Sequence, residues 1–151
     1  MPIKSFKGKL TDGAQDTIVL HTNNGSTGYR IIKFQILPVD GNTAYEGTVQ
    51  IFKVEQPMAA GITTTTEVDM DDNTLLAAAV IQQSITTQGG FMDSVVFDNE
   101  IFNQDIYIVH DEKSAGAGAE INYYIELEQI KLDLNENTVA TLKDIRNIAS
   151  Q

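Results

Sequence analysis

Apolar and polar residues alternate most cleanly between Tyr123 and Leu134. Tyr123, Ile125 and Leu127 alternate with Tyr124, Glu126 and Glu128, and the alternation resumes one step later at Ile130, Leu132 and Leu134. Successive strand side chains point to opposite faces, so this period of two predicts a long antiparallel strand with one buried and one wet face. The one-step slip predicts a β-bulge near Glu128-Gln129, because one extra residue returns the apolar set to the core.

Shorter segments follow the same logic. Thr17 to Thr22, Tyr29 to Leu37, Thr48 to Val54, Ser94 to Phe97 and Asp105 to His110 are rich in Val, Ile, Thr, Tyr and Phe, the residues that fit a pleated, half-buried surface. Turn formers separate them: Asn23 to Gly28, Asp40-Gly41-Asn42, and Gly89-Gly90, with Pro38 and Pro57 ending two of the strands. The run Leu75 to Ile81 is apolar throughout, a pattern that buried strand and buried helix share. Its alanines favour a helix, its short length favours a strand, and a strand is the expectation. Ser114 to Ala119 reads as a small-residue loop.

The period changes at the C-terminus. Val139, Leu142, Ile145 and Ile148 share one side at 100° per residue, opposite Lys143, Asp144 and Asn147, which predicts one short amphipathic helix. An isolated helix of that length is marginal in water, so its apolar side is expected to pack on its own sheet or on a partner. The expected fold is therefore all-β: an antiparallel β-sandwich or jelly-roll-like domain, 1–151, with one short C-terminal α-helix.

Composition narrows the function. The 151 residues carry 21 acids against 10 bases, a net charge of −11, and no cysteine. Disulfides, thiolate nucleophiles and cysteine zinc sites are excluded. A negative field repels phosphate backbones, so no nucleic-acid partner is expected. No apolar run approaches the ~20 residues of a membrane-spanning helix, and the start lacks a signal-peptide core. Synthesis in a cytoplasm and no membrane partner are the expectations.

Candidate chemistry is sparse. The two histidines are His21 and His110, and His110-Asp111-Glu112 at a strand end reads as a solvated polar cluster rather than a metal site. No serine sits in a nucleophile elbow, and no phosphate-cradling glycine loop occurs. Neither catalytic residues nor a cofactor are expected. Glu67, Asp69, Asp71, Asp72 and Asn73 supply oxygen ligands of the kind Ca²⁺ prefers, but Val80 stands where an EF-hand needs a bidentate Glu. The plainer reading is a charged strand edge and turn that discourages sheet-to-sheet aggregation. Asp98-Asn99-Glu100 and Asn103-Gln104-Asp105 bracket Ile101-Phe102; they read as turn-capping residues, or as a binding loop presenting Phe102.

Val96 to Ile108, Asn122 to Leu134, Thr138 to Arg146 and Gly28 to Gln35 together resemble segments of small structural proteins of marine tailed bacteriophages. The resemblance covers about half of the chain and transfers no catalytic residue. It implies a non-enzymatic virion protein, either a head decoration or cement protein or a tail component. It further implies a homo-oligomer with the major capsid protein or other virion proteins as partners, made in the host cytoplasm and located in the particle. Phe102, Leu142, Ile145 and Ile148 are the candidate interface residues. The competing expectation is a carbohydrate-binding or adhesive β-sandwich, which needs an exposed row drawn from Tyr29, Tyr45, Tyr107, Tyr123 and Tyr124.

Overall fold

The computed structural model describes residues 2–21, 26–40, 44–57, 67–83, 90–112 and 120–133. Eight strands form among them: β1 Ile3–Leu10, β2 Gln15–Ile18, β3 Thr27–Pro38, β4 Tyr45–Phe52, β5 Leu75–Gln83, β6 Gly90–Val96, β7 Ile106–Glu112 and β8 Ile121–Lys131. Every pairing is antiparallel. One sheet has the order β1-β8-β3 and the other β2-β7-β4-β5-β6, and their inner faces pack as a sandwich. The all-β expectation holds. The C-terminal helix, with Leu142, Ile145 and Ile148, and the Ser114 to Ala119 loop lie outside the described residues.

β8 organises the smaller sheet because its alternation is the most regular. Ile121, Tyr123, Ile125 and Leu127 face inward, while Tyr124, Glu126 and Glu128 lie on the wetter face. On that face Arg30, directly opposite Glu128, forms an ion pair with it at 2.6 Å. The bulge, however, is in β3 rather than at Glu128-Gln129: the register passes from Ile31↔Leu127 to Lys33↔Glu126, leaving Ile32 as the extra residue. Pairing with β3 runs unbroken through Glu128, Gln129 and Ile130, so Ile130 stays half-buried on the outer face. Leu132 returns inward only after the strand ends, where its side chain packs over Gly28. The apolar pairs of β3 show the same slip, Tyr29 and Ile31 before the bulge, Phe34 and Ile36 after it.

β1 is a strand that the apolar pattern does not announce. Only Phe6, Gly8 and Leu10 turn inward between Lys7 and Lys9, and Gly8 brings no side chain to the core. The Tyr123 ring fills the place beside Gly8 instead, and its hydroxyl donates to Asp16 at 3.0 Å. That hydroxyl is pushed up to about 12 by burial first and then by the hydrogen bond to Asp16.

In the larger sheet, Leu75 to Ile81 is a strand, as its length indicated. Ala77, Ala79 and Ile81 face the sandwich core, and Leu75 packs with Phe52, Val109 and Val68 on the opposite face. Small alanines there let β3 of the other sheet approach closely.

Candidate functional site

The polar residues singled out from the sequence occupy four different places. The first is His110-Asp111-Glu112, which is not a solvated cluster: all three side chains are buried, and His110 is 0 % exposed. The cause is the turn Thr11-Asp12-Gly13-Ala14, which carries the chain from the smaller sheet to the larger one. Its third residue has φ of 75°, a left-handed conformation that glycine adopts without strain. The turn wraps the end of β7. Gly13 N–H donates to the His110 carbonyl, His110 N–H donates to Ala14, and Glu112 N–H donates to the Asp12 carboxylate at 2.8 Å.

The same geometry fixes the imidazole tautomer. Nδ1 lies 3.1 Å from the Thr11 carbonyl, which can only accept, so Nδ1 carries the proton. Nε2 therefore accepts from the Tyr45 hydroxyl. The two rings lie nearly parallel, centroids 5.8 Å apart. Burial pushes His110 below its ordinary value, against hydrogen bonds and acids that pull it up. Burial, then Glu112, Asp12 and Asp111, push the Tyr45 hydroxyl up. This is a neutral, internal pair that locks β4, β7 and the turn together.

The second place is His21, which is exposed and paired with Asp105 at 2.7 Å. Asp105 also accepts from the backbone N–H groups of Leu20 and His21. Burial raises its carboxyl, but the His21 hydrogen bonds and then that of Leu20 outweigh this, holding it below the usual range. The arrangement caps the chain where it leaves β2.

These two groups give stability a two-step dependence on pH. Unfolded, His110 titrates near about 6.5; folded, it takes up its proton only at lower pH. Between those values the unfolded chain holds more protons, so stability is full above pH ~6.5 and falls below it. The slope is at most about 1.4 kcal/mol per pH unit. The Asp105 contribution is present above its unfolded value of about 3.9 and is lost below that. Urea midpoints measured between about pH 7 and about pH 3 should show both losses. His110→Gln should flatten the upper one alone, and a flat wild-type profile down to about pH 5 would exclude a neutral buried His110.

The third place is the acidic turn before β5. Asp69 accepts from the Asp71 N–H at 2.9 Å, and Asp72 accepts from both the N–H and the hydroxyl of Thr74. These carboxylates serve their own turn. Among the described residues, no three His, Cys, Asp or Glu side chains converge on a metal-sized site.

The fourth is Phe102. It is 1 % exposed, bridges β3 through paired backbone hydrogen bonds with Tyr29, and sets its ring 6.4 Å from the Tyr29 ring. The turn at Asp98-Asn99 thus does not present Phe102 to a partner, because the crossing from β6 to β7 tucks it under β3. Of the five tyrosines, Tyr29, Tyr45 and Tyr123 are buried, so no exposed row forms from them.

A surface that the sequence reading missed lies on the side of the sandwich where β3 and β6 end their sheets. A groove of about 400 Å³ runs between them, lined by Ile32 to Ile36, Ala79, Met92 and Val96. On the outer face of β5 and β6 a shallower hollow of about 250 Å³ is lined by Val68, Met70, Ala78, Val80 and Phe91. Met70, Phe91 and Met92 are 58 %, 54 % and 60 % exposed. The signal was in Gly90-Phe91-Met92, where two large apolar residues stand side by side and one must face outward whichever face is buried.

Among the described residues, fold and surface together define an antiparallel β-sandwich whose β3–β6 side carries a groove lined by both apolar and polar residues. The sequence matches no protein-family model and none of the curated proteins searched.

Proposed function

We propose that this protein is a non-enzymatic structural component of a tailed-phage particle, a decoration or cement protein that docks on the major capsid protein. The observation that carries the reading is the exposure of Met70, Phe91 and Met92 around β6, the strand that ends the larger sheet among the described residues. Met70 and Phe91 share the outer hollow while Met92 lies in the groove on the other face of β6, and exposed apolar patches mark interaction sites in soluble proteins. The histidines support the same reading, since His110 is sealed inside the fold and Asp105 holds His21 as a strand-end cap. The resemblance of Val96 to Ile108 and Asn122 to Leu134 to phage structural proteins supplies the particle. The net charge of −11 suits a basic docking surface.

Binding to purified particles that lack this protein, measured at low and high salt, tests the proposal. Saturable binding is expected, faster at low salt, because complementary charge steers association and salt screens it. A folded sample that binds at neither ionic strength would overturn it.

A further inference from the structure

We infer that β6 is an attachment strand, onto whose free edge an extended, basic and apolar segment of a partner protein adds as a further strand. The inference deepens the assembly reading by naming the surface and the chemistry of what it takes. Among the described residues β6 pairs with β5 on one side and with no strand on the other, where β3 of the smaller sheet faces it across the groove. Phe97 N–H donates to Leu76 on β5. Antiparallel pairing alternates, so the odd-numbered residues of β6 bond inward, while Met92, Ser94 and Val96 direct N–H and C=O to the open edge. Such an edge is a template for another strand unless something blunts it.

What blunts it is Asp93. Its carboxylate accepts the outward N–H of Ser94 at 2.8 Å, occupying an amide that an added strand would use. A cationic side chain on the incoming strand can take up that carboxylate and release the amide, whereas an acidic one cannot. The surroundings select the same way. The hollow is lined mainly by apolar residues together with Asp93 and Ser94, and exposed Asp69 and Asp71 are the chain neighbours of its Met70. On the groove side the lining cation is Lys33, whose ammonium lies 5.8 Å from the Tyr124 ring centroid on the outer face of the smaller sheet. A second copy is the wrong occupant: β6 carries Asp93 and no base, so a two-fold pairing sets like charges together within a chain already at −11.

The test uses the full chain, isotope-labelled for amide NMR. The probe is a blocked alternating Lys-Val peptide about eight residues long, an ordinary strand length. Its controls are the Glu-Val counterpart and the Lys-Val peptide N-methylated at alternate amides. Lys-Val is expected to bind saturably, to shift Phe91 to Val96, and to slow hydrogen exchange at Ser94 and Val96. Both controls should fail. Asp93→Asn should weaken Lys-Val binding about fivefold, the worth of one exposed ion pair, without changing the circular dichroism spectrum. Equal binding of Glu-Val, undiminished binding of the N-methylated peptide, or shifts away from β6 would overturn the inference. So would peptide-free self-association that protects the same amides, which would make the occupant a second copy. Peptide binding without particle binding would remove the phage role and leave the edge; particle binding without a peptide response would do the reverse.

Discussion

Leu127→Ala is expected to destabilise the fold by about 3–4 kcal/mol, within the range for large-to-small changes at fully buried sites. Leu127 is 0 % exposed and sits on β8, the central strand of the smaller sheet, facing the core shared by both sheets. Neighbours on β1 and β3 are held by the backbone ladder on either side, so they cannot collapse into the space left behind. For a domain of this size the melting temperature should fall by roughly 10 °C. Urea denaturation followed by circular dichroism checks it. The control is Glu126→Ala on the wetter face next door, expected to stay within about 0.5 kcal/mol. Equal losses at the two positions would mean that β8 does not bury the face assigned to it.

Gly47→Val is expected to cost about as much, for the opposite reason. A Cβ at Gly47 would meet the Tyr45 hydroxyl and the ring carbons beside it. The ring cannot yield freely, because its hydroxyl bonds His110 and its face stacks on the imidazole. Overpacking of this kind costs about 1–3 kcal/mol, and displacing the buried hydroxyl adds about 1–3 kcal/mol. Gly47→Ala should show the same effect in smaller measure. In a Tyr45→Leu background the second substitution should cost much less, since the obstructing ring is gone; a double-mutant cycle measures that coupling. Additive losses would show that Gly47 and Tyr45 do not share the space.

Both predictions depend on which side chains face inward, and the sequence carried much of that information. Period-two alternation in β8 placed Ile125 and Leu127 on the buried face and Glu126 and Glu128 on the wetter one, and β3 to β7 were each legible as strands. β1 was not, because Gly8 interrupts its apolar face and the Tyr123 ring from β8 completes it. The bulge was visible as a slip of the pattern but was placed in the wrong strand. A slip says that pairing shifts somewhere, and only the register between partners says which strand holds the extra residue.

The candidate site divides the same way. Composition excluded cysteine chemistry and gave the acidic field, and the turn-forming role of Asp69 and Asp72 followed from residue type. Phe102 and His110 were read as surface features because their neighbours are polar, yet both are interior. Their burial depends on chain segments far away in sequence, Tyr29 for Phe102 and Thr11 to Ala14 for His110. The strand order that leaves β6 at an edge, and so exposes Phe91 and Met92, is likewise a property of the assembled sheets. Side-chain periodicity determined by itself that this chain makes strands and which face of most of them is apolar. The tertiary structure decided which edges remain open and which polar groups are sealed inside, because edges and burial are set by long-range pairings that local pattern does not encode.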